Sequence, residues 1–222
     1  MAQLGDIVQW KDPSEIKSHL ENQAQRLSDL EASIKKKKRD NLTVSLSNII
    51  RKAAFEMKRL ATAYPDSVDI LAWSARNLFE INLITRKILD SDSDLVRWIG
   101  QRANDEIDVI KGVLELADSP SSDECVKLQR RISEIEDMCK RHEIVSAKPF
   151  NIMDLAKHFS LEKEYRSLYK LFSKYVHPSS WRINGDQEAL ASTTALNIFI
   201  VYAQLYSGDL YSRVCAKLGI VA

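Results

Sequence analysis

The sequence predicts an all-α protein, a bundle of about six to eight helices. Three observations lead there. Apolar residues recur at helical spacing along most of the 222 residues. Only 6 Gly and 5 Pro are present, too few for a turn-rich β protein. No two alternating segments flank a hairpin turn, and no internal repeat is visible.

The elements follow in order. Asp12-Pro13-Ser14-Glu15 reads as a helix start, with Asp12 as N-cap and Pro13 where its missing N–H costs nothing. Ile16, Leu20, Leu27, Leu30 and Ile34 continue the helical stripe, which Lys35 to Asn41 interrupts. It resumes at Leu42, Leu46, Ile49, Ala53, Met57 and Leu60 and closes at Tyr64-Pro65; one bent helix or two both fit. A helix from near Ser67 to Asp90 follows, then one over about 94–117 capped in Ser91–Asp94. Pro120-Ser121-Ser122-Asp123 starts another, reaching about Val145. A short helix over 151–159 precedes one over 161–176, for which Ser160 can serve as cap. His177-Pro178 ends it, because the residue before proline is pushed out of the α region. A loop from Ser179 to Gly185 leads to a last helix from Asp186 to about Lys217. The expected division is an N-terminal helical segment or arm at 1–65 and a bundle core at 66–222, compatible with a single compact unit.

Two helices are apolar nearly all round, as a helix surrounded by neighbours should be. In 68–84 the only charges are Asp69, Arg76 and Glu80, and 189–208 carries none. The second stretch is long enough for a bilayer, but Thr193, Asn197, Gln204 and Ser207 favour a core helix over a membrane span.

Charge and motifs exclude much. Thirty-two cations against 31 anions leave a net charge of +1, so no global field recruits nucleic acid or membrane. Cys125, Cys139 and Cys215 have neither disulfide-framework nor zinc spacing. The first twenty residues lack the apolar core of a signal peptide, so a cytoplasmic location is expected. No glycine-rich phosphate loop, Gly-x-Ser-x-Gly elbow or His-Glu-x-x-His helix appears. No cofactor or metal site is expected.

Three features carry chemistry. Arg76 and Glu80 lie four apart, on one face of a helix that otherwise wants burial, with Asn77 and Asn82 nearby. An ordinary surface pair on a narrow exposed strip reads equally well. On a helical wheel for 161–176, Arg166, Lys170, Ser173 and His177 gather opposite the apolar side, with His177 at the helix C-terminus where the dipole favours a cation. This is either an acid/base group beside phosphate-holding cations or a plain solvated face. Five consecutive cations, including Lys36, Lys37 and Arg39, are either a solvated bend or a phosphate-contacting patch, and no aromatic interleaves with them.

Arg76-Asn77-Leu78-Phe79-Glu80 and the stretch Tyr169 to Ser179 together resemble a family of bacterial all-helical proteins of unknown function. That family is marked by an Arg-x-x-x-Glu helix and a Tyr-x-x-x-Ser-x-x-x-His stretch followed by a small residue. It is similar in turn to the HEPN superfamily, helical bundles that include metal-independent ribonucleases of toxin–antitoxin and anti-phage systems. The resemblance covers about 67–215. It implies RNA as substrate, an antitoxin or other partner protein, and a homodimer. It also implies His177 as acid/base, with an arginine on the phosphate. HEPN nucleases carry Arg-x(4–6)-His; here Lys170 stands at that spacing and no arginine does. Arg76 from a neighbouring helix can supply the guanidinium, with Arg182 or Arg166 as substitutes. Glu80, Tyr169 and Ser173 complete the expected surface. The two functions this leaves are a metal-independent ribonuclease and a non-catalytic helical module that binds a partner protein or a nucleotide.

Overall fold

The computed structural model describes residues 8–10, 12–116 and 122–221, and every regular element among them is helical. Two compact units emerge, one from Met1–Arg86 with Ile152–Ala222, the other from Lys87–Asn151.

In the first unit, α1 (Pro13–Lys35) and α2 (Asn41–Ala63) form a hairpin, so 14–63 is two helices. Both starts follow from capping. The Asp12 carboxylate accepts from the Ser14 and Glu15 amides, and Asp40 and Thr43 satisfy each other's backbone N–H groups in a capping box. The basic run falls in the connection between them. Leu20, Leu27 and Ile34 of α1 interlock with Leu46, Ile50, Met57 and Leu60 of α2, all essentially inaccessible.

Helix α3 (Val68–Asp90) buries Leu71, Ala72, Ala75, Leu78, Phe79 and Leu83. The last helix of the chain (Thr193–Leu218) packs on α1 and α2 and is tied to α3 by polar groups. Asn82 Nδ2 donates to the Tyr206 carbonyl (3.1 Å) and to Asp209 Oδ2 (2.8 Å). Arg86 Nη2 and Arg213 Nε reach the same carboxylate at 2.9 and 2.7 Å. Burial alone would raise the Asp209 carboxyl; hydrogen bonds from Arg213 and Asn82 and the Arg86 charge outweigh it and hold it below its ordinary value.

The polar stripe of the last helix makes interhelical and terminal contacts. Ser207 Oγ donates to Gln23 Oε1 (3.0 Å), and Gln204 Nε2 donates to the Gln9 carbonyl (3.0 Å). Gln204 and Ser207 therefore serve the hairpin and the N-terminal segment. Glu188–Leu218 is long and apolar enough to cross a membrane, and 33% of its most apolar window is buried.

The second unit pairs α4 (Asp92–Glu115) with α5 (Asp123–Arg141) around Ala103, Ile110 and Ile135, with Cys139 packed against them. Helix α5 ends at Arg141, short of the expected Val145. The expected start at Pro120-Ser121 lies outside the described residues; Ser122 caps the helix at the Cys125 amide.

The rest of the first unit begins with α6 (Ile152–His158). Ser160 does not cap the next helix. It adopts φ +58° while the Leu161 amide returns to the Ala156 carbonyl at 2.7 Å, which closes α6. Helix α7 (Glu162–Glu164) runs without interruption through a π-helical turn, Tyr165–Tyr169, into α8 (Lys170–Val176). Two short helices, α9 (Ser180–Asn184) and α10 (Gln187–Leu190), replace the expected loop and the first turn of the final helix. The long helix, α11, starts later than expected because Ser192 caps it at the Ala195 amide.

Candidate functional site

The site is assembled on α3, the π turn and α8. Arg76 and Glu80 lie one turn apart on α3 and pair directly, Nε to Oε1 at 3.1 Å. Their side chains are 23% and 29% exposed, so the pair occupies a narrow accessible strip and is not sealed in the core.

The second half depends on the π turn. A π turn inserts one residue into an α-helix and shifts the register of all residues beyond it. Tyr165 and Tyr169 stack, with centroids 4.6 Å apart and planes 16° from parallel. Tyr169 then reaches α3: its hydroxyl accepts from Arg76 Nη2 (2.7 Å) and donates to Glu80 Oε1 (3.0 Å). Burial, then the Glu80 charge, push its phenol up to about 12, with Arg76 opposing. The hydroxyl thus stays protonated and can hold both partners. The Arg76 guanidinium also lies 4.6 Å from the Tyr169 ring centroid.

His177 completes the cluster from the end of α8. Proline follows it, its backbone is extended (φ −97°, ψ 147°), and its amide closes the helix on Ser173. That turn carries the exposed imidazole to Arg76, with Nε2 3.3 Å from Nη1. Arginine only donates, so Nε2 is the acceptor in this contact. One guanidinium therefore touches a carboxylate, a phenol and an imidazole, and its cluster opens to solvent on the His177 side.

The other sequence candidates separate clearly. Ser173 Oγ donates to the Tyr169 carbonyl (2.9 Å) and braces the turn beneath the cluster. Lys170 is exposed and takes no part in the cluster's hydrogen bonds. Arg166 is held by Glu162 at 2.7 Å, on the outer face of the helix. Lys36, Lys37 and Arg39 are exposed between α1 and α2. From Asn41 at the start of α2 to Glu56, where α2 meets α3, is about 22 Å of helix. The basic run is therefore remote from the cluster. Among the described residues no group of three His, Cys, Asp or Glu side chains could hold a metal ion.

Sequence reading missed Glu56. It is fully buried, accepts from Asn77 Nδ2 at 3.0 Å and pairs with Lys52 Nζ at 2.6 Å. A signal was present, because Glu56 falls three residues after Ala53 and four before Leu60, inside the apolar stripe. This contact locks the Arg76 turn of α3 onto α2.

Fold and cluster define an all-helical protein with a half-exposed Arg–Glu–Tyr–His constellation joining two helical segments. The model of a family of unknown function, DUF5677, matches residues 60–189, and the chain belongs to that family. The matched region holds the entire cluster and excludes the basic run. No curated protein matches the chain. No solved structure matches it either.

Proposed function

We propose that the protein is a HEPN-like, metal-independent ribonuclease in which His177 is the acid/base and Arg76 binds the scissile phosphate. The observation that carries this reading is the 3.3 Å contact between Arg76 Nη1 and His177 Nε2, made across 101 residues of sequence on an open surface. General acid/base catalysis requires the proton-transferring group within hydrogen-bond reach of the reacting atom. The Arg76 guanidinium beside it, held by Glu80 and Tyr169, offers Nη1 to a phosphodiester there.

The chemistry balances with these groups alone. His177 Nε2 takes the proton of a ribose 2′-OH, the 2′-oxygen bonds to the adjacent phosphorus, and the P–O5′ bond breaks. The leaving 5′-oxygen receives the proton from the imidazolium. The products are a 2′,3′-cyclic phosphate and a 5′-hydroxyl. Arg76 neutralises charge that grows on the phosphoryl oxygens, while Tyr169 and Glu80 hold its Nη2 and Nε so that Nη1 faces His177. The imidazole is free to act once the phosphate draws the guanidinium off Nε2.

The resemblance to HEPN proteins supports RNA as the substrate, a defence or toxin role in the cytoplasm of a bacterium, and an antitoxin-type partner. The departure from Arg-x(4–6)-His is met by the Arg76 side chain arriving from α3. The test is a 5′-labelled RNA incubated in EDTA. A new end bearing a cyclic phosphate, lost in Arg76→Ala and in His177→Ala, is the expected result. Cleavage that persists in both variants would remove these residues from the mechanism.

A further inference from the structure

Next to the cluster, α2 and α3 expose aromatic rings where a soluble helix would ordinarily place charge. Trp73 is 46% exposed and stands one turn before Arg76 on α3. Phe55 is 55% exposed on α2. Each ring has a cation over it, the Arg59 guanidinium 4.8 Å from the Trp73 centroid and Lys52 Nζ 4.9 Å from that of Phe55. Lys52, Phe55 and Arg59 lie at i, i+3 and i+7, so they form one row on α2.

One end of this row reaches α3, where Arg59 covers Trp73, while Phe55 also lines the groove between α1 and α2. Beneath the row Glu56 joins Lys52 to Asn77, the residue after Arg76, and lies 3.8 Å from Arg59. Arg59 over Trp73 thus brings α2 to the turn of α3 before Arg76, which in turn contacts His177. An exposed ring costs apolar hydration, and a ring flanked by a cation offers a face on which an unpaired base can stack.

We propose that Phe55 and Trp73, with Lys52 and Arg59, form a track that stacks the unpaired bases of a single-stranded RNA and delivers its backbone to Arg76 and His177. The proposal rests on the ribonuclease reading and names its substrate as single-stranded. Duplex bases are already stacked on one another and cannot take up the rings. Glu56 offsets one of the two flanking cations and Glu80 offsets Arg76, so stacking, more than charge, supplies the affinity. Asp69, one turn before Trp73 on α3, places an acid at that helix's far end of the track. The salt dependence should consequently be shallow.

The experiment uses the full chain carrying His177→Ala, so that binding is read without cleavage, with fluorescently labelled 12-nucleotide single-stranded and duplex RNAs of mixed sequence. Anisotropy at low salt should show single-strand binding at least tenfold tighter than duplex binding. Adding Trp73→Ala should weaken it about tenfold, whereas Trp73→Phe, which keeps a ring, should restore most of the loss. Equal affinity for both RNAs, or a Trp73→Ala variant that binds like its parent, would overturn the track. The ribonuclease reading is scored separately on the wild type. Binding without wild-type cleavage would keep the track and remove the enzyme, while cleavage with Trp73-independent binding would do the reverse. Absence of single-strand binding at low salt would also overturn the track and give this surface to a protein partner.

Discussion

Tyr169 sets the geometry of the proposed active site without touching the reacting atoms. Its hydroxyl bridges Arg76 and Glu80, so Tyr169→Phe should leave the fold intact and free the guanidinium to wander from His177. We expect RNA cleavage to fall about tenfold, roughly the 1.4 kcal/mol of one charge-assisted hydrogen bond. A rate equal to wild type would show that Arg76 needs no such support. The phenol also has a pH signature. Its folded pKa of about 12 lies above the unfolded value, so the stability it contributes is complete below the unfolded pKa and is lost as pH rises through the folded one. Urea unfolding between about pH 10 and pH 12 should therefore weaken the wild type more than Tyr169→Phe, and identical pH slopes would contradict this. At this scale Arg76, Glu80 and His177 were legible in the sequence from residue type and helical spacing, and Tyr169 through the family resemblance. That Arg76 could reach His177 from a neighbouring helix was an expectation; that Tyr169 bridges Arg76 and Glu80 was not, because spacing along one helix says nothing about which partner lies opposite. Glu56 shows the complementary failure: a charge inside an apolar stripe was readable, but its role depends on Asn77 across the interface.

At the scale of elements, the π turn at Tyr165–Tyr169 and the Asp209 network do the positioning. A straight α-helix was the natural reading of 161–176, since a one-residue register shift leaves no mark on an apolar pattern this short. Deleting Ser167, an exposed residue within the turn, should return the segment to α-helix and rotate Tyr169 relative to α8. Circular dichroism should then change little while cleavage is lost. Retained cleavage would mean that the register shift is incidental. Behind the site, Asp209 receives Asn82, Arg86 and Arg213 and fixes α11 against α3. Asp209→Asn should cost about 2 kcal/mol at neutral pH. Because the folded carboxyl titrates below its unfolded value, that stability is present above the unfolded pKa near 4 and disappears as pH falls through the folded one. The gap between wild type and variant should therefore close under acid. A gap independent of pH would assign the loss to packing. Caps behave more simply: Asp12, Ser91, Ser122 and Ser179 start helices as their residue types suggest, whereas Ser160 departs from that rule because a left-handed serine closes one helix as readily as a cap opens another.

Across the whole molecule, the all-α class was legible because helical periodicity and the scarcity of glycine and proline are global properties. The grouping of 87–151 into its own unit was not, since no linker-like composition marks either boundary. That unit offers a control. A Cβ at Gly100 would run into the Val145 carbonyl oxygen, so Gly100→Ala should destabilise by about 2 kcal/mol. Every residue of the cluster lies in the other unit, so cleavage per folded molecule should be unchanged; a selective loss of activity would place part of the site outside that cluster. Whether Arg76 and His177 act together on a phosphodiester is decided by the end chemistry of RNA cut by wild type, Arg76→Ala, His177→Ala and the double variant in EDTA, with circular dichroism confirming the fold of each. 2′,3′-Cyclic phosphate ends are expected from wild type alone, with the double variant no worse than either single one, because residues acting as a unit are not additive. No cleavage by wild type at any salt or protein concentration, or cleavage undiminished in both single variants, would contradict their joint action.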